Sequence, residues 1–348
     1  MAFVFDLSAL PRVRLGRYPT PLEPLPRLSA AVGGPPLWVK RDDALGPALG
    51  GNKTRKLEFL LGEALAQGAT AVATFGGLQS NFARQMAAAA RAHGLQPHCF
   101  YFARRPERLD GNLLLLHLLG AHLHFLPLGG AGAGLSLEAA IRLVRGIAAL
   151  TPALWGQRTY FMPVGGHSPA GAMGYVLAAL ELHEQLRERG LRRATVVVAA
   201  GTGGTLAGLL AGFHLWGLEH RLVGIDVGKL WRGFPESIAA LASAVCARLG
   251  GARTFRPDEV PLIEGRYVGA GYARPSAAGQ AALQLAAQTE GLLVDPVYTA
   301  KALAGLLGEV RGADWPPAEP VVFWHTGGLP ALWAREQAVL REDGGKQV

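Results

Sequence analysis

The sequence predicts an α/β protein with two open, twisted, mostly parallel sheets and flanking helices. Its 348 residues are enough for two domains with ample cores. From residue 70 onward, apolar runs of strand length alternate with helical patterns, which is typical of parallel β-α units. No internal repeat or long disordered linker interrupts this alternation in the sequence.

The elements of the first half follow from local signals. Two glycines precede a helical pattern at 53–67, in which Leu57, Leu60 and Leu61 share one face. A proline-rich irregular segment and a strand at 37–40 come before it. After Gly68 the pattern predicts strands at 71–75, 98–102, 122–126 and 160–162, helices at 81–92, 112–119 and 137–150, and a glycine-rich loop at 129–134.

In the second half, Ser168 as N-cap and Pro169 at the first helical position predict a helix that runs to about residue 188. An irregular segment at 255–273 and a frayed tail from 337 are also expected. The remaining predicted elements are strands at 195–199, 221–226, 292–294 and 321–324, and helices at 206–214, 234–249, 277–290 and 299–311.

Composition excludes several classes of function. Hydrophobic residues make up 50% and charged residues 17% of the chain, and the net charge of +8 suits anionic ligands. The basic residues are scattered without a stacking motif, so a nucleic-acid partner is not expected. Cys99 and Cys246 lack metal-ligand spacing, which predicts reduced thiols in a cytoplasmic protein and no metal.

A membrane protein is not expected either. Residues 1–14 carry Asp6 and lack the apolar core of a signal peptide. Residues 194–218 contain no Lys, Arg, Asp or Glu, but the glycines of 201–205 would break a membrane helix. A buried strand, a tight loop and a buried helix explain this stretch better.

The strongest chemical signal is the stretch 50–60, GGNKTRKLEFL. Lys53 and Lys56 are three residues apart, so both amines project from one side of the first helical turn. Two cations there are unfavourable for a helix N-terminus unless an anion lies over them. The sequence misses the P-loop motif of nucleotide-binding proteins by one residue, because Asn52 stands between the second glycine of the motif and Lys53. The remaining established use of such a lysine is to carry pyridoxal phosphate.

Two glycine turns predict further anion contacts. In FGGLQSN, at 75–81, Ser80 and Asn81 stand at an N-cap, and a cap alone needs neither the two glycines nor Gln79. A carboxylate would be held well at this helix start. In GTGGT, at 201–205, Leu206 occupies the place of the small third residue in a dinucleotide motif, so an anion nest is the better interpretation.

Other candidates lie at loops and strand ends. Tyr272 stands in a glycine frame and Tyr298 follows a predicted strand; each is as consistent with a half-buried core tyrosine as with a functional one. Thr326 follows the last predicted strand, where ligands of open α/β sheets bind. His325 is expected to be structural.

Taken in order, from about residue 18 to 333, these motifs resemble the D-cysteine desulfhydrase and 1-aminocyclopropane-1-carboxylate deaminase family of fold-type II pyridoxal phosphate enzymes. The resemblance implies a tryptophan-synthase-β-like fold, with a large domain (1–59 plus 170–348), a small domain (60–169) and the cofactor in the cleft between them. It also implies a small amino acid substrate and a homodimer.

The resemblance also implies roles for individual residues. Lys53 would carry the cofactor, and Tyr272, Tyr298 and Ser80 would be catalytic. Gln79, Ser80 and Asn81 would bind the substrate carboxylate, with Asn81 also close to the cofactor's phenolic oxygen. The cofactor phosphate would be held by Lys56 and by Gly201, Thr202, Gly203, Gly204 and Thr205. Family members often have a polar residue where this chain has Phe82.

Two positions bear on the reaction. Deaminases of the family carry glutamate where this chain has Thr299, and leucine where it has Thr326; the desulfhydrases carry hydroxyl residues. A hydroxyl can hydrogen-bond the pyridine nitrogen without adding a charge. The resemblance therefore implies elimination of D-cysteine to pyruvate, ammonia and hydrogen sulfide. The alternatives are a cyclopropane deaminase, a related lyase such as an L-cysteate sulfo-lyase and, in another class, a non-catalytic carrier of pyridoxal phosphate.

Overall fold

The computed structural model describes residues 7–127, 137–230, 232–312 and 319–334. The predicted glycine-rich loop at 129–134 and the predicted frayed tail from 337 lie outside these ranges. The strands are β1 Leu22–Pro24, β2 Leu37–Arg41, β3 Ala71–Phe75, β4 Gln96–Tyr101, β5 His122–Phe125, β6 Thr159–Phe161, β7 Thr195–Ala200, β8 Arg221–Asp226, β9 Leu262–Ile263 and β10 Val321–His325. The helices are α1 Pro26–Val32, α2 Lys53–Ala66, α3 Asn81–Ala92, α4 Gly111–Leu118, α5 Leu137–Trp155, α6 Pro169–Glu188, α7 Gly204–Leu215, α8 Phe234–Arg248, α9 Ala277–Glu290 and α10 Thr299–Val310.

The strands form two sheets, as predicted. The larger has the order β1-β2-β10-β7-β8-β9 and is parallel apart from the antiparallel β1 edge. The smaller has the order β5-β4-β3-β6 and is parallel throughout. This confirms the predicted fold class. All four strands of the smaller sheet lie within residues 60–169.

Alternate side chains of β7 explain why it is hydrophobic along its whole length. Val196 and Val198 pack in the core formed with α6, α7 and α8, whereas Val197 and Ala199 pack in the core formed with α9 and α10. A parallel strand covered on both faces is apolar at every position. The strand therefore lies inside the larger sheet, and the loop at 201–205 follows at its carboxyl end.

Three sequence predictions about elements are corrected. Residues 26–32 form α1, which begins with Pro26 in its first turn, although an irregular segment was expected there. The predicted strand at 292–294 is wrong: Leu292 N–H bonds back to Ala286 O at the end of α9, and no ladder forms. The segment expected to be irregular contains the short strand β9.

No helix among the described residues is long and apolar enough to cross a membrane. This agrees with the interpretation of 194–218, which forms β7, the loop and α7.

Candidate active site

A cavity of about 340 Å³ lies at the carboxyl ends of β3, β7 and β10. Ligands of open parallel sheets bind at such an edge. It brings together most of the predicted site residues, which lie far apart in the sequence. Those in its wall are Lys53, Lys56, Ser80, Asn81, Gly201, Thr202, Gly203, Thr205, Tyr272, Tyr298 and Thr326.

The two lysines give the cavity its charge. Lys53 is the first residue of α2, and burial lowers its pKa to about 8. The side chain of Lys56 is fully buried, and burial together with the charge of Lys53 holds its pKa well below the ordinary lysine value. Its amine donates to Gly165 O at 3.1 Å. No Asp or Glu from the described part of the chain lines the cavity. Such a pair calls for a bound anion.

Next to the lysines, Arg55 anchors α2 to the larger sheet. Its guanidinium donates to both carboxylate oxygens of Asp42, at 2.9 and 2.8 Å, and to both oxygens of Glu181. Asp42 also accepts from Tyr175 Oη at 2.7 Å and from Trp324 Nε1 at 2.8 Å. Burial acts to raise the pKa of Asp42, but Arg55, Lys40 and Trp324 together outweigh it, so the net pKa is lowered. The network fixes the turn that presents Lys53.

The loop at 201–205 forms a cradle that glycine makes possible. Gly203 is the left-handed N-cap of α7, with φ of 79°, and a Cβ there would meet Ile238 Cγ1 at 2.5 Å. A Cβ on Gly204 would come within 2.8 Å of Lys56 Nζ. The free N–H groups at the start of α7 therefore lie beside a buried amine, an arrangement that suits a phosphate. Asn52, which sequence reasoning did not assign, donates to Thr205 Oγ1 at 3.1 Å.

The turn before α3 places only part of its predicted set in the cavity. Ser80 is the N-cap and accepts from Ala83 N at 3.1 Å. Asn81 is steadied by Asn112, whose amide donates to Asn81 Oδ1 at 3.0 Å. Phe82 is buried in the cavity wall.

Gln79 is not among the described residues that line the cavity. Its amide donates to Asp110 Oδ1 at 2.9 Å and its Oε1 accepts from Asn112 N at 2.7 Å. These bonds tie the side chain to the start of α4, and the contact of Gln79 with the substrate carboxylate stays a prediction.

The two tyrosines meet on the opposite side of the cavity. The hydroxyls of Tyr272 and Tyr298 are hydrogen-bonded to each other, and the rings pack edge to face with centroids 5.9 Å apart. Burial raises the pKa of both phenols, so each keeps its proton near neutral pH. Asp295 accepts from the Tyr298 and Thr299 amides at 2.9 Å and from the Thr299 hydroxyl at 2.6 Å. Thr299 therefore faces Asp295 and is not in the cavity wall.

The loop after β10 completes the site. Thr326 lines the cavity and is almost fully buried. His325 Nε2 lies 2.8 Å from Leu293 O, and Gly327 N donates to His325 Nδ1 at 3.3 Å. His325 thus supports the turn that carries Thr326, which agrees with its expected structural role.

Residues 13–327 match the model of the family described as pyridoxal-phosphate dependent enzyme, and the chain belongs to this family. It is 38% identical over 336 residues to D-cysteine desulfhydrase of Klebsiella pneumoniae subsp. pneumoniae, covering 94% of this chain and 97% of the relative. It is 39% identical over 335 residues to D-cysteine desulfhydrase of Salmonella schwarzengrund, with the same coverage. A crystal structure described as an ACC deaminase homologue is similar, with 34% identity, a TM-score of 0.83 and 94% of both chains covered.

The cavity fits the family's cofactor. Pyridoxal phosphate needs an amine to carry its aldehyde carbon and a cationic cradle for its phosphate. Lys53 has a lowered pKa, and Lys56 lies against the glycines at the start of α7. The protein is a pyridoxal phosphate-dependent enzyme.

Proposed function

We propose that the protein is a carbon–sulfur lyase that converts D-cysteine and water to pyruvate, ammonia and hydrogen sulfide. The observation that carries this proposal is that an uncharged residue, Thr326, lines the cavity, whereas the hydroxyl of Thr299 is bonded to Asp295. Relatives named D-cysteine desulfhydrase, matched over 97% of their length, support the same reaction.

The chain's residues take the following roles in this proposal. When bound, pyridoxal phosphate withdraws electrons from the substrate's α-carbon, which allows the α-proton and then the β-thiolate to leave. Lys53 carries the cofactor, and its amine accepts the α-proton because burial keeps its pKa near 8. Lys56 and the loop at 201–205 hold the phosphate. Ser80 and the N-terminus of α3 hold the substrate carboxylate.

The tyrosine pair serves the leaving group. With raised pKa values, Tyr272 and Tyr298 are donors, and one of them passes a proton to the departing sulfur. Two uncharged side chains orient groups at the cofactor: Asn52 bonds to Thr205 in the phosphate cradle, and Asn81 lies close to the cofactor's phenolic oxygen.

Product analysis tests the proposal. Enzyme loaded with pyridoxal phosphate should release sulfide and pyruvate from D-cysteine in equal amounts, and hydroxylamine treatment should abolish both. Release of sulfite and pyruvate from L-cysteate, without sulfide from D-cysteine, would identify the related sulfo-lyase. A cofactor band without any product from these amino acids would identify a carrier.

A deaminase of 1-aminocyclopropane-1-carboxylate is the second candidate, because the similar crystal structure is described as an ACC deaminase homologue. The residue pair Thr299 and Thr326 favours the desulfhydrase, as no carboxylate from the described residues reaches the cavity. Product assays on both substrates separate the two.

We also propose that the chain acts in the cytoplasm as a homodimer with a large domain (1–59 plus 170–348) and a small domain (60–169). Three apolar side chains on α4 and the turn that follows β10 support an interface: Leu114, Leu118 and Trp333, the last two 71% and 61% exposed. Light scattering after gel filtration should give twice the chain mass, and Leu118→Glu should shift it toward the monomer.

A further inference from the structure

Lys301 is a fully buried lysine that lies outside the cavity wall. It occupies the first turn of α10, where the helix macrodipole disfavours a cation, and its side chain has no exposed surface. A lysine in such a place is costly unless every donor of its ammonium is satisfied.

Three backbone carbonyls satisfy this ammonium. Lys301 Nζ donates to Val227 O at 3.2 Å, to Val268 O at 2.8 Å and to Gly271 O at 2.9 Å. Val227 follows β8, whereas Val268 and Gly271 belong to the irregular segment that leads to Tyr272. Burial lowers the pKa of Lys301 to about 8, with Asp295 and Asp226 acting in the opposite direction, so it is mostly charged at neutral pH.

The segment at 265–273, named here the tyrosine loop, forms no regular element, and Glu309 of α10 holds its first part through the side chains of Arg266 and Tyr267. Gly269, Gly271 and Ala273 have φ values of 67°, 126° and 57°, and Gly269 and Ala270 are exposed. A left-handed conformation at an alanine is strained. The tyrosine loop thus needs contacts from neighbouring elements to keep a single conformation.

Asp226 supports the other side of this loop. Its carboxylate accepts from Gly228 N at 3.0 Å, from Lys229 N at 2.9 Å and from Gly265 N at 3.2 Å. Amides thus converge on Asp226 and carbonyls on Lys301, which pins both ends of the loop to the segment after β8. A Cβ at Gly228 would lie 3.0 Å from Tyr272 Cδ2, so the ring packs directly on that segment.

We propose that Lys301 is a positioning residue that holds Tyr272 against Tyr298 through the three carbonyls. The first turn of α10 then sets both phenols: Tyr298 precedes the helix, and Lys301, three residues later, fixes the loop that carries Tyr272. This inference rests on the proposed function for the role of the tyrosine pair.

A double-mutant cycle on the cofactor-loaded enzyme tests the coupling. Lys301→Met keeps most of the apolar stem of the side chain and removes the donors, so kcat on D-cysteine should fall about 100-fold, the loss typical of a misplacement near 1 Å, with KM little changed. In a Tyr272→Phe background the same substitution should cost less than about threefold, because the group it positions is already gone. An equal loss in both backgrounds, or wild-type kcat in Lys301→Met, overturns the proposal.

Hydrogen exchange measured by mass spectrometry gives a readout that does not depend on turnover. Amides of 264–273 should exchange faster in Lys301→Met than in wild type, and Lys229→Met, at an exposed lysine near the same loop, should leave them unchanged. Unchanged exchange in Lys301→Met overturns the proposal even if D-cysteine is not the substrate.

Lys301→Gln covers the case in which Lys301→Met fails to fold. It retains two donors on a shorter side chain, so relative to wild type its kcat should fall, by less than about 100-fold, and the amides of the tyrosine loop should exchange faster. Wild-type values for both in Lys301→Gln would show that the ammonium is not needed and would overturn the proposal.

Discussion

The two walls of the cavity are built in opposite ways. On the lysine side, Arg55 joins two carboxylates, and the start of α2 is held by a buried network of ion pairs and hydrogen bonds. On the tyrosine side, the loop at 265–273 is irregular and partly exposed, and separate hydrogen bonds to Lys301, Asp226 and Glu309 hold it. We infer that the wall at the start of α2 is rigid, whereas the position of the loop at 265–273 depends on a few separate hydrogen bonds.

The largest effect on activity is expected from removing the amine of Lys53. Lys53→Ala should fold normally and lose activity by on the order of 10⁴-fold, because it removes both the attachment point and the base. Circular dichroism checks the fold. In the wild type, borohydride reduction and peptide mass spectrometry should locate the cofactor on Lys53. Cofactor on Lys56 or Lys40 would contradict the assignment.

Breaking the network behind this wall should cost stability. Arg55→Met leaves Asp42 buried without its guanidinium partner, so the free energy of unfolding in urea should fall by about 3–5 kcal/mol. Arg193→Met removes an exposed pair with Glu219 and should leave the free energy of unfolding close to the wild-type value. Equal losses in the two variants would refute the contrast between the walls.

The same network predicts a pH dependence. The pKa of Asp42 is lower in the folded protein than its ordinary value of 3.8. Its contribution to stability is therefore present above that value and is lost as the pH falls below it. Arg55→Met should lose stability less steeply than wild type on acidification.

The phosphate cradle should tolerate no side chain at Gly203. Gly203→Val forces a β-branched residue into φ of 79° and toward Ile238, so cofactor affinity should fall by about 10–100-fold. Gly217→Val, at a similar φ of 63° past the other end of α7 and with open space around it, controls for backbone strain. Titration of the apoenzyme with pyridoxal phosphate measures both. If Gly203→Val binds like wild type, the phosphate is held elsewhere.

The smallest effect concerns the amine of Lys53. The neutral amine is the nucleophile, so the rate at which the apoenzyme takes up pyridoxal phosphate should rise with pH through about 8 and then level off. Stopped-flow absorbance follows the reaction, and an acetylated lysine amide corrects for titration of the cofactor itself. A midpoint near the ordinary value of 10.5 would show that burial does not tune this lysine.

Local glycine patterns made much of the site predictable. Each of the three motifs, at 50–60, 75–81 and 201–205, is one short stretch of sequence. In each, a helix start is preceded by more glycines than a turn requires. The partners that anchor them are distant: Arg55 and Glu181 are 126 positions apart, and Lys301 lies 30 from Gly271. No local signal in the sequence reveals the bonds of Gln79 to Asp110 and Asn112, which are 31 and 33 positions away.

The sequence predictions of strands were wrong where pairing with a neighbouring strand, and not the β-propensity of the segment, decides whether a strand forms. The apolar run at 292–294 has strand composition, but Gly291 ends α9 in the left-handed region and Leu292 bonds back to that helix. The short β9 forms only because β8 offers a free edge to Leu262 and Ile263. The fold class itself rests on the alternation of strands and helices, which the sequence displays directly.

The most direct test of the account compares two substrates on one enzyme preparation. With threonine at 326 and 299, no carboxylate from the described residues lines the cavity. The bound cofactor should therefore withdraw enough electron density for a thiolate to leave but not for ring opening. The account predicts a higher kcat/KM for D-cysteine, with sulfide and pyruvate released, and little or no ammonia from 1-aminocyclopropane-1-carboxylate. A higher kcat/KM for the cyclopropane substrate would contradict it.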